Sequence, residues 1–410
     1  MTGLERRASF SLATIFSLRM LGLFLVLPVF ALEAAHLPGG HDPFMTRLAM
    51  GIYGLTQAML QIPLGLASDR YGRKRVIVLG LIVFGAGSVL AACAGSIVGL
   101  IAGRALQGAG AISAAVTALL ADLTRDEVRT KGMAMVGASI GLIFALSLMV
   151  APTLDNLLGG LSGLFTLTAL LALLGIVVVV WVTPPEPRGH AVGESRGRIA
   201  DVWAHSHLWR LYLGVFALHM AQMSMWGVVP GLLAHAGLPI AQHWHVYLPA
   251  VLLSFIMLVV IFGMERGGHL RAVLRGGIAL LLLVQLALWR LAPQWPGAWT
   301  IGIVLFFFFV AFNVLEATQP SLVSRLAPAH ARGAALGIYN TLQALGLFAG
   351  GALGGLLFKY AGPAAVFEVT TALAALWLIL AWPQVVPLPR SRQRQPQPGE
   401  QTDPPTRGGS

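Results

Sequence analysis

The stretch Gly65-Leu66-Ala67-Ser68-Asp69-Arg70-Tyr71-Gly72-Arg73-Lys74 separates two long apolar runs, and its residue types are unusually specific for so short a connection. A basic turn between membrane spans accounts for Arg73, Lys74 and Arg75, but it calls for neither Asp69 nor the two glycines. Glycine at 65 lets a neighbouring helix come close, and glycine at 72 permits a tight turn. Asp69 offers a carboxylate suited to the positive end of a helix dipole. The pattern predicts a helix, a turn and a second helix whose loop holds a charge cluster.

The flanking runs belong to a series. A bilayer crossing takes about 20 apolar residues, and runs of that kind occur at 9–32, 45–66, 76–93, 97–121, 132–154, 161–183, 209–234, 245–264, 273–292, 298–323, 333–358 and 363–383. The first contains Arg19 and Pro28 and outlasts the roughly 7–15 apolar residues of a secretory signal, so it is expected to be retained. With the N-terminus inside, alternation puts 22 of the 27 Lys and Arg residues in cytoplasmic loops and termini. Only Arg47, Arg290 and Lys359 fall outside, and Arg19 and Arg104 lie within the bilayer. An odd number of spans would scramble that segregation, so both termini are expected to be cytoplasmic.

The predicted fold class is therefore an all-α membrane protein with twelve transmembrane helices in two pseudo-symmetric six-helix bundles. The first bundle covers 1–183, a cytoplasmic linker with Pro184, Pro185 and Pro187 covers 184–208, and the second bundle covers 209–383. The tail 384–410 is rich in Pro, Gln and Arg and is expected to be disordered. Two repeated halves around a site at mid-membrane are a common transporter layout.

Composition excludes much else. The chain is 57% hydrophobic and 10% charged, with mean hydropathy +0.78, whereas soluble domains carry about 25% charged residues. A net charge of +11 would suit nucleic acid, but the basic residues sit in short loops between apolar runs, which points to the lipid bilayer instead. The single cysteine, Cys93, allows no internal disulfide. No nucleophile constellation, nucleotide loop or metal cluster argues for an enzyme, and no cofactor or metal is expected. His235, His243 and His245 gather around one external loop, where interfacial placement is expected rather than metal binding.

The 65–74 stretch resembles the loop signature of the major facilitator superfamily at all six defining positions, Gly65, Asp69, Arg70, Gly72, Arg73 and Lys74. That resemblance implies that Asp69 meets the N-terminus of the eleventh span, that Arg73 pairs with Asp122 at the end of the fourth, and that the cluster latches a cytoplasmic gate. Arg104-Ala105-Leu106-Gln107-Gly108 is similar to the family's fourth-span motif. Arg19 with Leu27-Pro28-Val29 resembles a first-span motif of the twelve-span drug:proton antiporters. With Phe312-Asn313, Glu316-Ala317 and Pro320-Ser321, residues 4 to about 385 look like the YajR type of inner-membrane transporter in that group. YajR-type proteins can carry a small soluble domain after the last span, and none is expected in this tail. The fifth span keeps only Pro152 of the antiporter motif, having Ser147, Ala151, Asp155 and Asn156 where glycines are usual.

In this superfamily spans 1, 4, 7 and 10 line the central cavity, and here they carry Arg19, Arg104, His219 and Glu316, one ionisable residue each. Buried charges in spans are functional by default. Glu316, with Asn313 one turn away on the same face, is the expected proton-coupling carboxylate, and His219 the next candidate. Gln107 joins Arg104 as a cavity candidate. The function implied is secondary transport in a bacterial inner membrane, driven by the proton gradient, by a monomer exporting small amphipathic molecules. Two arginines against one Glu and one His favour neutral or anionic substrates. A proton symporter for a sugar or organic acid, and a non-transporting solute sensor, remain as alternatives.

Overall fold

The computed structural model describes residues 1–186, 202, 205–266, 269–294, 297–328 and 331–384. Most of the linker and of the tail lie outside the described residues, as does the side chain of Asp69. Helices account for nearly all of the structure, and no strand occurs among the described residues. A helix satisfies every backbone polar group internally, which an apolar run in lipid requires.

The elements are α1 (Gly3–Glu33), α2 (Pro43–Tyr71), α3 (Arg73–Ala92), α4 (Ile97–Ala109), α5 (Ser113–Asp122), α6 (Asp126–Leu158) and α7 (Leu161–Val177) in the first half. The second half has α8 (Ser206–His235), α9 (Trp244–Arg266), α10 (Leu270–Leu291), α11 (Ala298–Leu326) and α12 (Arg332–Ala381). Local signals set the ends. Thr2 and Glu5 cap α1 reciprocally, Asp42 caps α2 ahead of Pro43, and Ser96 caps α4.

Ten stretches among the described residues are long and apolar enough to cross a membrane. The last, Ala334–Ala381, has 48 residues, or about 72 Å at 1.5 Å per residue against a hydrocarbon core of about 30 Å. It bends at Gly362, where φ is +80°. The 29-residue α2 is less apolar than those ten and lies along α12.

Within the first half α1 packs on α6 and α7, and α3 on α4 and α7; within the second, α12 packs on α8 and α10, and α9 on α11. The halves meet where α2 runs along α12, α6 along α9 and α1 along α8. Gly346, Gly350 and Gly354, whose spacing predicts packing, face α8.

The α2–α12 seam is tight toward one end only. A Cβ on Gly51 would come within 2.8 Å of the Phe348 carbonyl oxygen, and one on Gly54 within 2.3 Å of that of Ala344. Gly337, nearer the end that carries the 65–74 loop, has open space around it, as does Gly137 on α6. The end bearing that loop is called the loop end below. At the opposite end Lys359 Nζ donates to Asp42 Oδ2 at 2.7 Å, tying α12 to the start of α2.

Candidate functional site

Two buried guanidinium groups anchor the middle of the first half. Arg19 is 1% exposed; it donates to the Tyr53 hydroxyl at 2.6 Å and to Ser113 Oγ at 3.2 Å. Arg104 donates to Gln107 Oε1 at 2.8 Å and to the carbonyls of Ala49 and Met50 at 3.4 Å. Gln107 in turn donates to Ser88 Oγ at 2.7 Å. Arg104 and Gln107 thus pin α4 to α2 and α3. A buried cation is costly unless hydrogen bonds compensate it, and among the described residues carbonyls, hydroxyls and one amide serve here, leaving only Arg19 Nε without a partner.

The second half holds a different arrangement. His219 Nδ1 lies 2.9 Å from the Val215 carbonyl oxygen one helical turn back, which can only accept, so Nδ1 carries a hydrogen. Nε2 lies 2.7 Å from the side-chain nitrogen of Gln343, which donates to it when the imidazole is neutral. The same nitrogen donates to Glu316 Oε1 at 3.2 Å, while Glu316 Oε2 stands 3.5 Å from His219 Nε2. Glu316 and His219, drawn from the predicted set, are therefore brought together, and Gln343 stands between them. Asn313, expected beside Glu316, donates to Ser254 Oγ on α9 at 2.9 Å. Tyr339, one helical turn before Gln343 on α12, is buried. The His219 side chain is 4% exposed and that of Glu316 38%, although Glu316 Oε2, the oxygen nearest His219, is itself buried.

Aromatic rings close the space on the side away from the loop end. Phe144 of α6 contacts Phe24 of α1 at 5.0 Å, Phe309 of α11 at 5.8 Å and Trp226 of α8 at 6.3 Å between ring centroids. Trp226 contacts Tyr247 of α9 at 5.3 Å. Arg19, His219 and Glu316 sit five to seven residues nearer the loop end than the rings on their own helices, or about 8–11 Å. Both halves supply rings, so this end cannot open without parting them.

At the loop end, Arg73 Nε lies 3.3 Å from Asp122 Oδ2, and Arg73 also donates to Ser68 Oγ at 2.6 Å. Glu186 completes the cluster, a residue that loop-motif reasoning passes over. Its carboxylate accepts from the backbone N–H groups of Arg73 and Lys74, the first turn of α3, where the helix dipole favours an anion. Gly72 has φ +100° and brings that turn against Glu186, whose Oε2 a Cβ would meet at 3.3 Å. Lys74 Nζ donates to the Thr183 carbonyl at 2.7 Å. Gly65 packs against Ala114, and Arg70 is exposed over Tyr71. The expected contact of Asp69 with the start of α12 lies outside the described residues.

At the opposite end His243 is buried against the Leu238 carbonyl and His245 stacks on Trp244. Among the described residues no three His, Cys, Asp or Glu side chains gather as a metal site needs.

A family model for the Major Facilitator Superfamily matches residues 12–351. The chain belongs to that superfamily. It is 44% identical over 385 residues to the inner membrane transport protein YajR of Escherichia coli (strain K12), covering 93% of this chain and 84% of that one. It is 25% identical over 358 residues to multidrug resistance protein 2 of Bacillus subtilis (strain 168), covering 82% and 85%.

Among solved facilitator structures, a bacterial homolog of the human lysosomal transporter Spinster, inward-facing and unoccupied, superposes with TM-score 0.70 at 15% identity over 93% of this chain and 97% of that one. The human organic anion transporter MFSD10 (TETRAN) superposes with TM-score 0.67 at 19% identity over 93% and 100%. At those identities the likeness shows the facilitator fold. This chain is thus a multi-pass membrane transporter and not an enzyme.

Proposed function

We propose that this facilitator is a proton-coupled exporter of small amphipathic molecules in a bacterial inner membrane. In this reading twelve spans leave both termini and the loop end cytoplasmic. The α2–α12 seam, tight at the opposite end and open around Gly337, together with the open space at Gly137 on α6, then corresponds to an inward-facing state. The protein works as a monomer without a cofactor, and the proton gradient supplies the energy. Resemblance to a multidrug resistance protein supports efflux. Arg19 within the membrane, with no carboxylate partner among the described residues, supports neutral or anionic cargo over strong cations.

The observation that carries the proposal is the trio Glu316, Gln343 and His219. With Glu316 ionised and His219 neutral, the Gln343 NH2 group donates to both. A proton on His219 Nε2 would point a second donor at that NH2 across 2.7 Å, so the amide must turn over. A proton on Glu316 likewise calls for an acceptor, which the turned amide provides through its oxygen. Gln343 therefore registers the proton load of both neighbours. It sits on α12 beside Ala344, whose carbonyl forms part of the seam with α2, so the amide's turn is delivered to the interface that must part.

Proteoliposomes containing a pH-sensitive dye test this directly. Cargo added to a wild-type preparation is expected to drive protons in the direction opposite to itself. Co-directional movement would establish symport, and no proton movement with a transported cargo would end the coupling role of the trio.

A further inference from the structure

Arg47 plays no part in the trio, the ring closure or the loop cluster, yet it is 92% buried, its relative exposure being 8%. Its guanidinium lies 3.6 Å over the Phe358 ring, and one Nη donates to the Pro43 carbonyl at 3.2 Å. Nε is buried without a hydrogen-bond partner, and no carboxylate among the described residues pairs with the charge. Burial strips such a cation of water, and an anion is what compensates it.

Arg47 borders a cavity of about 330 Å³ at the end opposite the loop end. Ala31, Leu32, Leu232, Phe358 and Pro363 give it apolar walls, and the exposed His235 stands at its rim. The walls come from α1, α2, α8 and α12, hence from both halves.

We infer that this cavity binds a single-headed amphiphilic anion, its carboxylate or phosphate on Arg47 and its short apolar chain along Ala31, Leu232 and Phe358. The volume is near the lower end of small-molecule sites, roughly 300–1,000 Å³, which suits one short chain. An anion there compensates the Arg47 charge and touches both halves, so its occupancy favours the closed form of this end. The site is separate from the trio: the aromatic rings lie between them, and it stands whichever way protons move.

The test measures the melting temperature of the full chain in nanodiscs of neutral phosphatidylcholine, with decanoate as the probe and decanol as its uncharged counterpart. Decanoate is expected to raise the wild-type melting temperature and decanol to leave it unchanged. Arg47→Gln should lose the response while melting no lower than wild type without the probe, since it removes an uncompensated buried charge. Ala31→Phe keeps the arginine, occupies the chain's space and should lose the response as well. A second set of nanodiscs containing phosphatidylglycerol separates the two sources of the anion. If that lipid alone stabilises wild type but not Arg47→Gln and removes the decanoate effect, the headgroup occupies the site. An equal decanoate response in wild type and Arg47→Gln, or no response of wild type in either lipid, would overturn the inference.

Discussion

In α1–α7 the buried charges Arg19, Arg47 and Arg104 rest on carbonyls, hydroxyls and rings, whereas α8–α12 hold Glu316 against His219 with an amide between them. A guanidinium keeps its charge at any physiological pH, so the first half presents a constant field. A carboxylate and an imidazole change charge, so the second half presents a variable one. On the proposed function, this division makes one bundle set what is attracted and the other decide when it leaves.

The strongest way to break this contrast is Glu316→Gln. The amide keeps the shape but does not titrate, so pH-driven uphill transport is expected to fall to background while cargo exchange without a proton gradient continues, both measured in proteoliposomes. Uphill transport at the wild-type rate would move the variable charge elsewhere, with His219 next.

Arg104→Ala addresses the constant half. It orphans Gln107 Oε1 and empties space between α2 and α4, for a cost of about 2–5 kcal/mol. The expected result is a lower melting temperature, with the pH profile of transport per folded molecule unchanged. A shifted pH profile would show that Arg104 feels the trio after all.

The loop cluster carries a smaller effect. Arg73→Ala and Asp122→Ala should each impair transport, with a coupling of about 0.5–3 kcal/mol in a double-mutant cycle, as for residues in contact. Strict additivity would dissolve the pair.

The smallest effect belongs to Asp42→Asn, which removes the partly exposed bridge to Lys359 at the opposite end and should barely change the melting temperature. The hydrogen bond from Lys359 holds the Asp42 carboxyl below its usual range. Its stabilisation is therefore complete at neutral pH and is lost only as the pH falls through that lowered value. Any change in transport between about pH 5 and 8 must then come from other groups, and the wild-type and Asp42→Asn profiles should run parallel there.

The runs of apolar residues were legible because a helix in lipid demands them, and the 65–74 loop because its acid and glycines have no other use. The Arg73 and Asp122 pair, implied by resemblance, is present at 3.3 Å. What sequence does not give is azimuth. Depth along a span placed Arg104 within the bilayer but could not say that it turns to the α2 carbonyls, nor that Asn313 turns to Ser254. Gln343 escaped notice because a neutral amide does not stand out as a charge does. The available signal was a short polar cluster, Asn340, Thr341 and Gln343, within an otherwise apolar and glycine-rich α12. Glu186, placed in the linker, shows its role only when the first turn of α3 is built beside it.

The seam between α2 and α12 has a mechanical meaning. Where Gly51 and Gly54 face Ala344 and Phe348, main chain lies almost directly on main chain, with few side chains reaching across. Two such faces can separate and meet again without any rotamer having to unlock or find its slot. The joint behaves as a smooth bearing with no teeth. Its closure is then governed by the charges and rings at its edges, and small changes in those are enough to set it in motion.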